Sequence, residues 1–451
     1  DKTIIWIMKL WDKGYDIDSF VERFTVGRDR ELDIYLAEAD VLGNMAHMKM
    51  LNSIGLISDA DRKALAKALR QIYDKVRRGE FRIEEGVEDV HSQVEFLLTE
   101  MCGDAGKRIH TGRSRNDQVM VDIKLFSRAA LAALLREVES LFTTLIAKAE
   151  EYKDVLMPGY THMQIAMPSS FGLWLSAYAE SLADDLLQLK AAYALVNTNP
   201  LGSGAGYGSS VPLDRKMTTR LLGFDDLAYN SIYAQMQRGK TERTVLTAIA
   251  AVAATVGRLA QDVCLYSCAN FGFVRLPDAF TTGSSIMPHK KNPDIFELIR
   301  ARCNRMQAQP LEVTLISTNL PAGYFRDMQL TKEIYVPAFG EIADCLKMAR
   351  MGIEQMQINR DILSDGKYKY LFTVEDVNDA VARGVPFRDA YREVGMRVQA
   401  GTYEHDGREL HHTHEGSIGN LCLDAIERKF VRNKFDTAAA DEAERRLMAE
   451  D

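Results

Sequence analysis

Apolar residues recur every three or four positions along several long runs that lack glycine and proline, the pattern of amphipathic helix. The run 113–157 carries it on Val119, Ile123, Phe126, Ala130 and Leu134. A helix over most of that run is roughly 60 Å long and needs other long helices beside it. Runs at 173–199, 240–270, 293–309 and 324–351 supply them, the third containing Gly257 and the last interrupted by Pro337. The run from 240 is apolar on more than one face (Val245, Ala248, Ala251, Ala253, Val256), as expected of a helix covered on all sides, within one bundle or between subunits. Strand-like alternation is scarce. The chain reads as all-α in three parts: shorter helices over 1–110, a long-helix bundle over 111–360, and shorter helices over 361–451.

Composition narrows the class. Of 451 residues, 46% are hydrophobic and 27% charged, ordinary values for a soluble globular chain. A net charge of −8 argues against nucleic-acid binding. Six cysteines without framework spacing point to a reducing, cytoplasmic setting. Residues 1–11 hold a short apolar run without a small-residue cleavage site, so no secretory signal is expected. The uncharged stretch 244–257 is too short to span a bilayer.

Three segments carry candidate chemistry. Residues 282–297 read Thr-Gly-Ser-Ser-Ile-Met-Pro-His-Lys-Lys-Asn-Pro-Asp-Ile-Phe-Glu. Hydroxyls and two cations precede a helix start, with Asn292 as cap and Pro293 at the first helical position. That combination suits a carboxylate-bearing small molecule; a plain polar loop is the bland alternative. Thr-Gly-Arg-Ser-Arg-Asn-Asp at 111–117 places two arginines at the entry to the longest helix, with Asn116 or Asp117 as its cap, and arginine forks suit carboxylates. In Gly-Tyr-Thr-His-Met-Gln at 159–164, His162 is a candidate acid or base because imidazole titrates near neutrality.

Other features weigh less. His91 lies beside Glu88 and Asp89, as a proton partner or a salt-bridged group. The spacing of His411, His412 and His414 fits a solvated loop better than a metal site. The glycines of 202–208 match no nucleotide motif and read as a close turn or a connector. Tyr324, Arg326, Gln329 and Lys332 share a helical stripe that is otherwise a solvated face.

The loop Gly-Ser-Ser-Ile-Met-Pro-His-Lys-Lys-Asn-Pro at 283–293 resembles the signature of the fumarase/aspartase superfamily. Residues 111–117, Thr161-His162, Asn-Pro-Leu-Gly-Ser-Gly at 199–204 and Gly-Val-Pro-Phe-Arg-Asp at 384–389 resemble its argininosuccinate lyase and δ-crystallin branch. The resemblance implies a three-domain helical fold and a homotetramer with active sites shared between subunits. It also implies reversible β-elimination of argininosuccinate to arginine and fumarate, without metal or organic cofactor. By the same match, Ser284 and His162 are catalytic, Lys290 and Asn292 stabilise the developing charge, and Glu297 holds His162. Arg115, Asn116, Thr161, Tyr324, Gln329, Lys332 and His91 surround substrate. Whether Ser284 or His162 takes the proton stays open.

The segment 24–28 departs from the family's substrate-binding Asn-x-Ser, with about two extra residues before Asp40; Thr25 or Arg28 is the expected replacement. His289 is an additional titratable group in the loop, and Phe325, Leu330 and Thr331 also differ from the family pattern. A sister lyase for adenylosuccinate, aspartate or malate would share 283–297 without 111–117. An inactive crystallin-like homologue would keep the motifs and lack turnover.

Overall fold

The computed structural model describes residues 19–410 and 412–449; the apolar run at 1–11 and His411 lie outside them. The elements used below are α1 (Ala37–Ser53), α2 (Val90–Cys102), α3 (Arg115–Glu151), α4 (Phe171–Val196), α5 (Lys240–Tyr266), α6 (Asp294–Met306), α7 (Thr331–Gln355) and α8 (Thr373–Ala382). The strands are β1 (Leu156–Thr161), β2 (Gln164–Ser170), β3 (Thr282–Gly283) and β4 (Lys291–Asn292).

The long helices form one bundle. α3, 37 residues long, packs against α4 and α7, and α5 packs against α4, α6 and α7. Val119, Ile123 and Leu134 are buried as their period requires, and Phe126 and Ala130 are partly covered. The main core draws on residues from Leu36 to Leu447, while a second, smaller one gathers Val377, Ala380, Ala390, Val394 and Tyr403.

α5 is buried along most of its circumference. Its exposed strip runs through Arg243, Thr247, Ala254 and Arg258, with Ala250 and Ala251 half-covered. At 27 residues it is long and apolar enough to cross a bilayer, which the shorter uncharged stretch 244–257 did not suggest. Here it serves as the central core helix, with Val245, Leu246, Ile249, Val252 and Val256 fully enclosed.

Several local expectations are corrected. Ser114 caps α3: its Oγ accepts from Asn116 N at 3.3 Å, and Asp117 Oδ1 accepts from Ser114 N at 2.8 Å. Asn116 therefore sits inside the helix. Asn292 does not cap α6 but pairs with Thr282 across the β3–β4 ladder, and Pro293 precedes the first helical residue. Pro337 lies inside α7 without ending it. The segment 159–164 belongs to an antiparallel hairpin, β1–β2, that the scarcity of alternation had concealed. His412 is not simply solvated: it faces Glu375 of α8 at 3.1 Å and Ser417 at 2.7 Å.

Close packing between α6 and α7 depends on Gly352. A Cβ there would lie 2.4 Å from the Phe296 ring, which is fully buried. Gly352→Ala is expected to destabilise the fold by about 1–3 kcal/mol through overpacking, read as a lower urea midpoint.

Candidate active site

A cavity of about 430 Å³ opens where the N-termini of α2, α3 and α7 converge. It collects six residues singled out from sequence: His91, Arg115, Asn116, Tyr324, Gln329 and Lys332. Arg326, the other member of the 324–332 stripe, also lines it. So do Asp29, Asp33, Glu88, Asp89, Val119 and Arg238, which the sequence reading missed. Asp29 and Asp33 are four residues apart, so i,i+4 spacing was the available signal for the pair.

Each charge is fixed by an element. Arg115, in the first turn of α3, donates to Asp89 Oδ2 and Ser92 Oγ, both at 2.6 Å. Asp89 in turn caps α2 by accepting from Ser92 N at 2.8 Å. Arg326 pairs with Glu88 at 2.9 Å, and Gln329 donates to the carbonyls of Thr25 and Val26. Arg238 is held by buried Glu242 at 2.9 Å. Lys332 lies between Asp29 at 2.6 Å and Asp33 at 2.7 Å. Burial opposes its charge, but the two carboxylates win and raise its pKa. Asp29 is pushed up to about 6 by burial and by Asp33, against the pull of Lys332.

Neither Thr25 nor Arg28, the expected N-terminal replacements, lines the cavity. Arg28 pairs with Glu31 on the surface, and Thr25 offers only its carbonyl to Arg326 and Gln329. Asp29, just past the segment 24–28, enters the cavity wall as a side chain.

Behind His91 lies a buried acid pair. His91 Nδ1 is 2.7 Å from Asp40 Oδ1 and 3.3 Å from Asp122 Oδ2. Two enclosed carboxylates cannot both stay ionised in contact. Burial and Asp40 raise Asp122 well above the carboxylate range, so Asp122 carries the proton. Burial opposes the charge on His91, and Asp40 outweighs it to raise the imidazole pKa. Asp40, His91 and Asp122 are also the one set of three donors, among the described residues, close enough together to consider for a metal ion. His91 hydrogen-bonds Asp40, while Asp122 Oδ2, 3.3 Å from the same nitrogen, is buried without a hydrogen bond among the described residues.

The remaining predicted residues do not line this cavity. Thr161 and His162 are exposed at the β1–β2 tip, where His162 (φ 52°) and Met163 (φ 59°) both adopt left-handed backbone. Two such non-glycine residues in succession cost on the order of 1–3 kcal/mol each, a strain characteristic of functional turns. In the 282–292 loop, Ser284 Oγ accepts from Met287 N at 3.0 Å and Ile286 N at 3.3 Å. Lys290 is exposed and Asn292 half-buried, while Lys291 pairs with Asp278. Glu297 is exposed on the first turn of α6, with Arg300 at 3.9 Å. No hydrogen bond joins His162 to Glu297 within the protomer among the described residues.

Asp122→Asn mimics the protonated carboxyl and is expected to change folding stability by less than about 1 kcal/mol. Asp40→Asn, which strips buried His91 of its counter-charge, is expected to cost about 3–5 kcal/mol. Urea unfolding near neutral pH compares them; equal losses would contradict the proton assignment.

Residues 16–308 match the lyase family. Over 442 residues, 98% of this chain and 99% of the relative, the sequence is 58% identical to an argininosuccinate lyase of Phocaeicola vulgatus. It is 39% identical over 427 residues to that of Sorangium cellulosum, covering 94% of this chain and 99% of the relative. Among solved structures, an EDDS lyase in complex with formate superposes with a TM-score of 0.76 at 21% identity, covering 96% of this chain and 94% of that one. A class II fumarase from Schistosoma mansoni gives 0.70 at 18% identity, with 91% of each chain covered. These two share the fold, in agreement with the all-α long-helix reading. The chain belongs to the argininosuccinate lyase family.

Proposed function

We propose that this protein cleaves argininosuccinate reversibly into arginine and fumarate by β-elimination. One observation carries the reading to this chain's own residues: a single cavity gathers Arg115, Asn116, Tyr324, Gln329 and Lys332 from two widely separated stretches of sequence. Family membership supplies the chemistry they serve.

The reaction removes a proton from the carbon beside a carboxylate, and the C–N bond to the guanidinium then breaks. The intermediate carries a second negative charge on that carboxylate, so donors preset for it lower the barrier most. Lys290 and Asn292 are assigned to that charge. Ser284 and His162 are the proton-transfer pair, with Glu297 orienting His162. Arg115 and Asn116 hold the succinyl carboxylates.

Distance supports a shared site. α3 spans about 55 Å, with Arg115 at its start and the β1–β2 hairpin after its end. The stretch from Tyr152 to His162, which includes β1, reaches back at most about 36 Å. His162 thus stays at least about 20 Å from the Arg115 of its own chain. Phe296, at the base of the 282–292 loop, packs on Gly352, some 20 residues along α7 from Lys332 and so about 30 Å away. Groups serving one reaction from such positions fit a site shared between neighbouring copies, and a homotetramer is the assembly we propose. The exposed Leu187, Leu298, Leu311 and Leu315, with the small-residue strip of α5, suit helix packing between copies. Six free thiols fit a reducing, cytoplasmic setting.

Ser284→Ala and His162→Asn are each expected to lower kcat at least about a hundredfold with the oligomer intact. Fumarate release followed by ultraviolet absorbance, with adenylosuccinate as control substrate, gives the readout; near-normal turnover in the Ser284 variant would remove it from the mechanism. Refolding an equal mixture of Ser284→Ala and Asn116→Leu chains is expected to restore up to about a quarter of wild-type activity, since random assembly leaves that share of sites with both residues intact. No recovery in a mixed oligomer would place both residues in one chain's site.

A further inference from the structure

The cavity's charges fall into two groups with different balance. Glu88 and Asp89 face Arg115 and Arg326, two acids against two cations. Asp29 and Asp33 share Lys332 alone, two acids against one. Arg238 does not redress this, since buried Glu242 already holds it. His91, the remaining basic group of the lining, is engaged by Asp40 at 2.7 Å, so Lys332 is the one lysine or arginine, among the described residues, that pairs with Asp29 and Asp33. Val90 N lies 3.5 Å from Asp33 Oδ2, a weak compensation, and Asp29 pairs with Lys332.

Resting on the argininosuccinate reading, we infer that Asp29 is a specificity-determining residue, receiving with Asp33 the α-ammonium of the substrate's amino-acid head while Lys332 takes its α-carboxylate. An ammonium between two carboxylates, beside a lysine that can bind the adjoining carboxylate, complements a zwitterion and no simple anion or cation. The guanidino group is the poorer candidate for this end. It lies in the middle of the substrate, next to the bond that breaks, whereas Lys332 is buried in the cavity wall. A terminal head group fits such a position, and it leaves the reacting carbon toward the groups contributed by other copies.

Three consequences separate this role from a merely structural one. First, the preference for an α-amino acid depends on Asp29. Second, losing Asp29 raises KM by more than it lowers kcat, because the head group is remote from the bond that breaks. Third, the preference has a pH limit. Asp29 is charged above about 6 and neutral below it, and Lys332, Asp33 and Asp89 are the groups that set its titration. The preference is present above that pH and fades as pH falls through it.

The test compares L-arginine with 5-guanidinopentanoate, the same molecule without its amino group, by calorimetric titration of the intact protein. Wild-type protein is expected to favour L-arginine by at least about fiftyfold. Asp29→Asn is expected to compress that preference at least about tenfold, and Asp29→Glu to keep most of it. An unchanged preference in a folded Asp29→Asn protein, or no preference in the wild type, overturns the inference. Should Asp29→Asn fail to fold, the wild-type preference between pH 7.5 and 5 decides: a loss of about tenfold centred near pH 6 supports the role, and a flat profile overturns it. Fumarate release from argininosuccinate is measured separately, so a failed reaction assignment is distinguishable from a failed assignment of Asp29.

Discussion

One carboxylate sets the geometry on which the cavity depends. Asp117 is fully enclosed; Oδ1 accepts from Ser114 N, and Oδ2 accepts from Gly202 N at 2.9 Å and Gly204 N at 3.1 Å. The first bond starts α3 where Arg115 and Asn116 are needed. The other two tie the glycine-rich turn to the same point, and the positive φ of Gly202 and Gly204 lets both N–H groups converge on one oxygen. Burial pushes the Asp117 carboxyl upward, while the surrounding donors and Arg113 favour its charged form. The glycine run thus does hold an anion, one belonging to the protein itself.

From that point the bundle behaves as a rigid spacer. α3 runs between the charged cavity at its start and the β1–β2 hairpin past its end, and packing such as Phe296 on Gly352 holds the neighbouring helices in place. The cost is a cavity crowded with charges out of bulk water. It is met by pairing the cations with carboxylates from other elements: Arg115 with the cap of α2, Arg326 with Glu88, Lys332 with Asp29 and Asp33. A fixed set of charges needs little rearrangement when substrate arrives, which is where electrostatic catalysis gains most.

How far the sequence revealed this follows from which interactions are local. Helix period is local, so α3, α4 and α5 were legible to within a few residues. Motif residues were legible because their types are chemically unusual together, and six of them do meet in one cavity. Asp29 and Asp33 were not, because an acid in a surface-like helix turn looks solvated until Lys332, some 300 positions later, is known to face it. The β1–β2 hairpin was hidden by its own composition: Pro158, Gly159 and Pro168 break the alternation that marks a strand. Caps failed for a subtler reason. Ser114, Asn116, Asp117 and Asn292 can all cap a helix, and long-range partners decide which one does.

The two-residue ladder between β3 and β4 bears on timing. By pairing Thr282 with Asn292 and Gly283 with Lys291, it pinches the 282–292 loop into a ring whose free span is residues 284–290. Ordering backbone costs about 1–2 kcal/mol per residue, so any tightening of the loop around substrate draws on a short segment. α6 and the Gly352 contact need not take part. Product escape can then be governed by a small, local relaxation whose rate is tuned within that span, independently of the stability of the bundle.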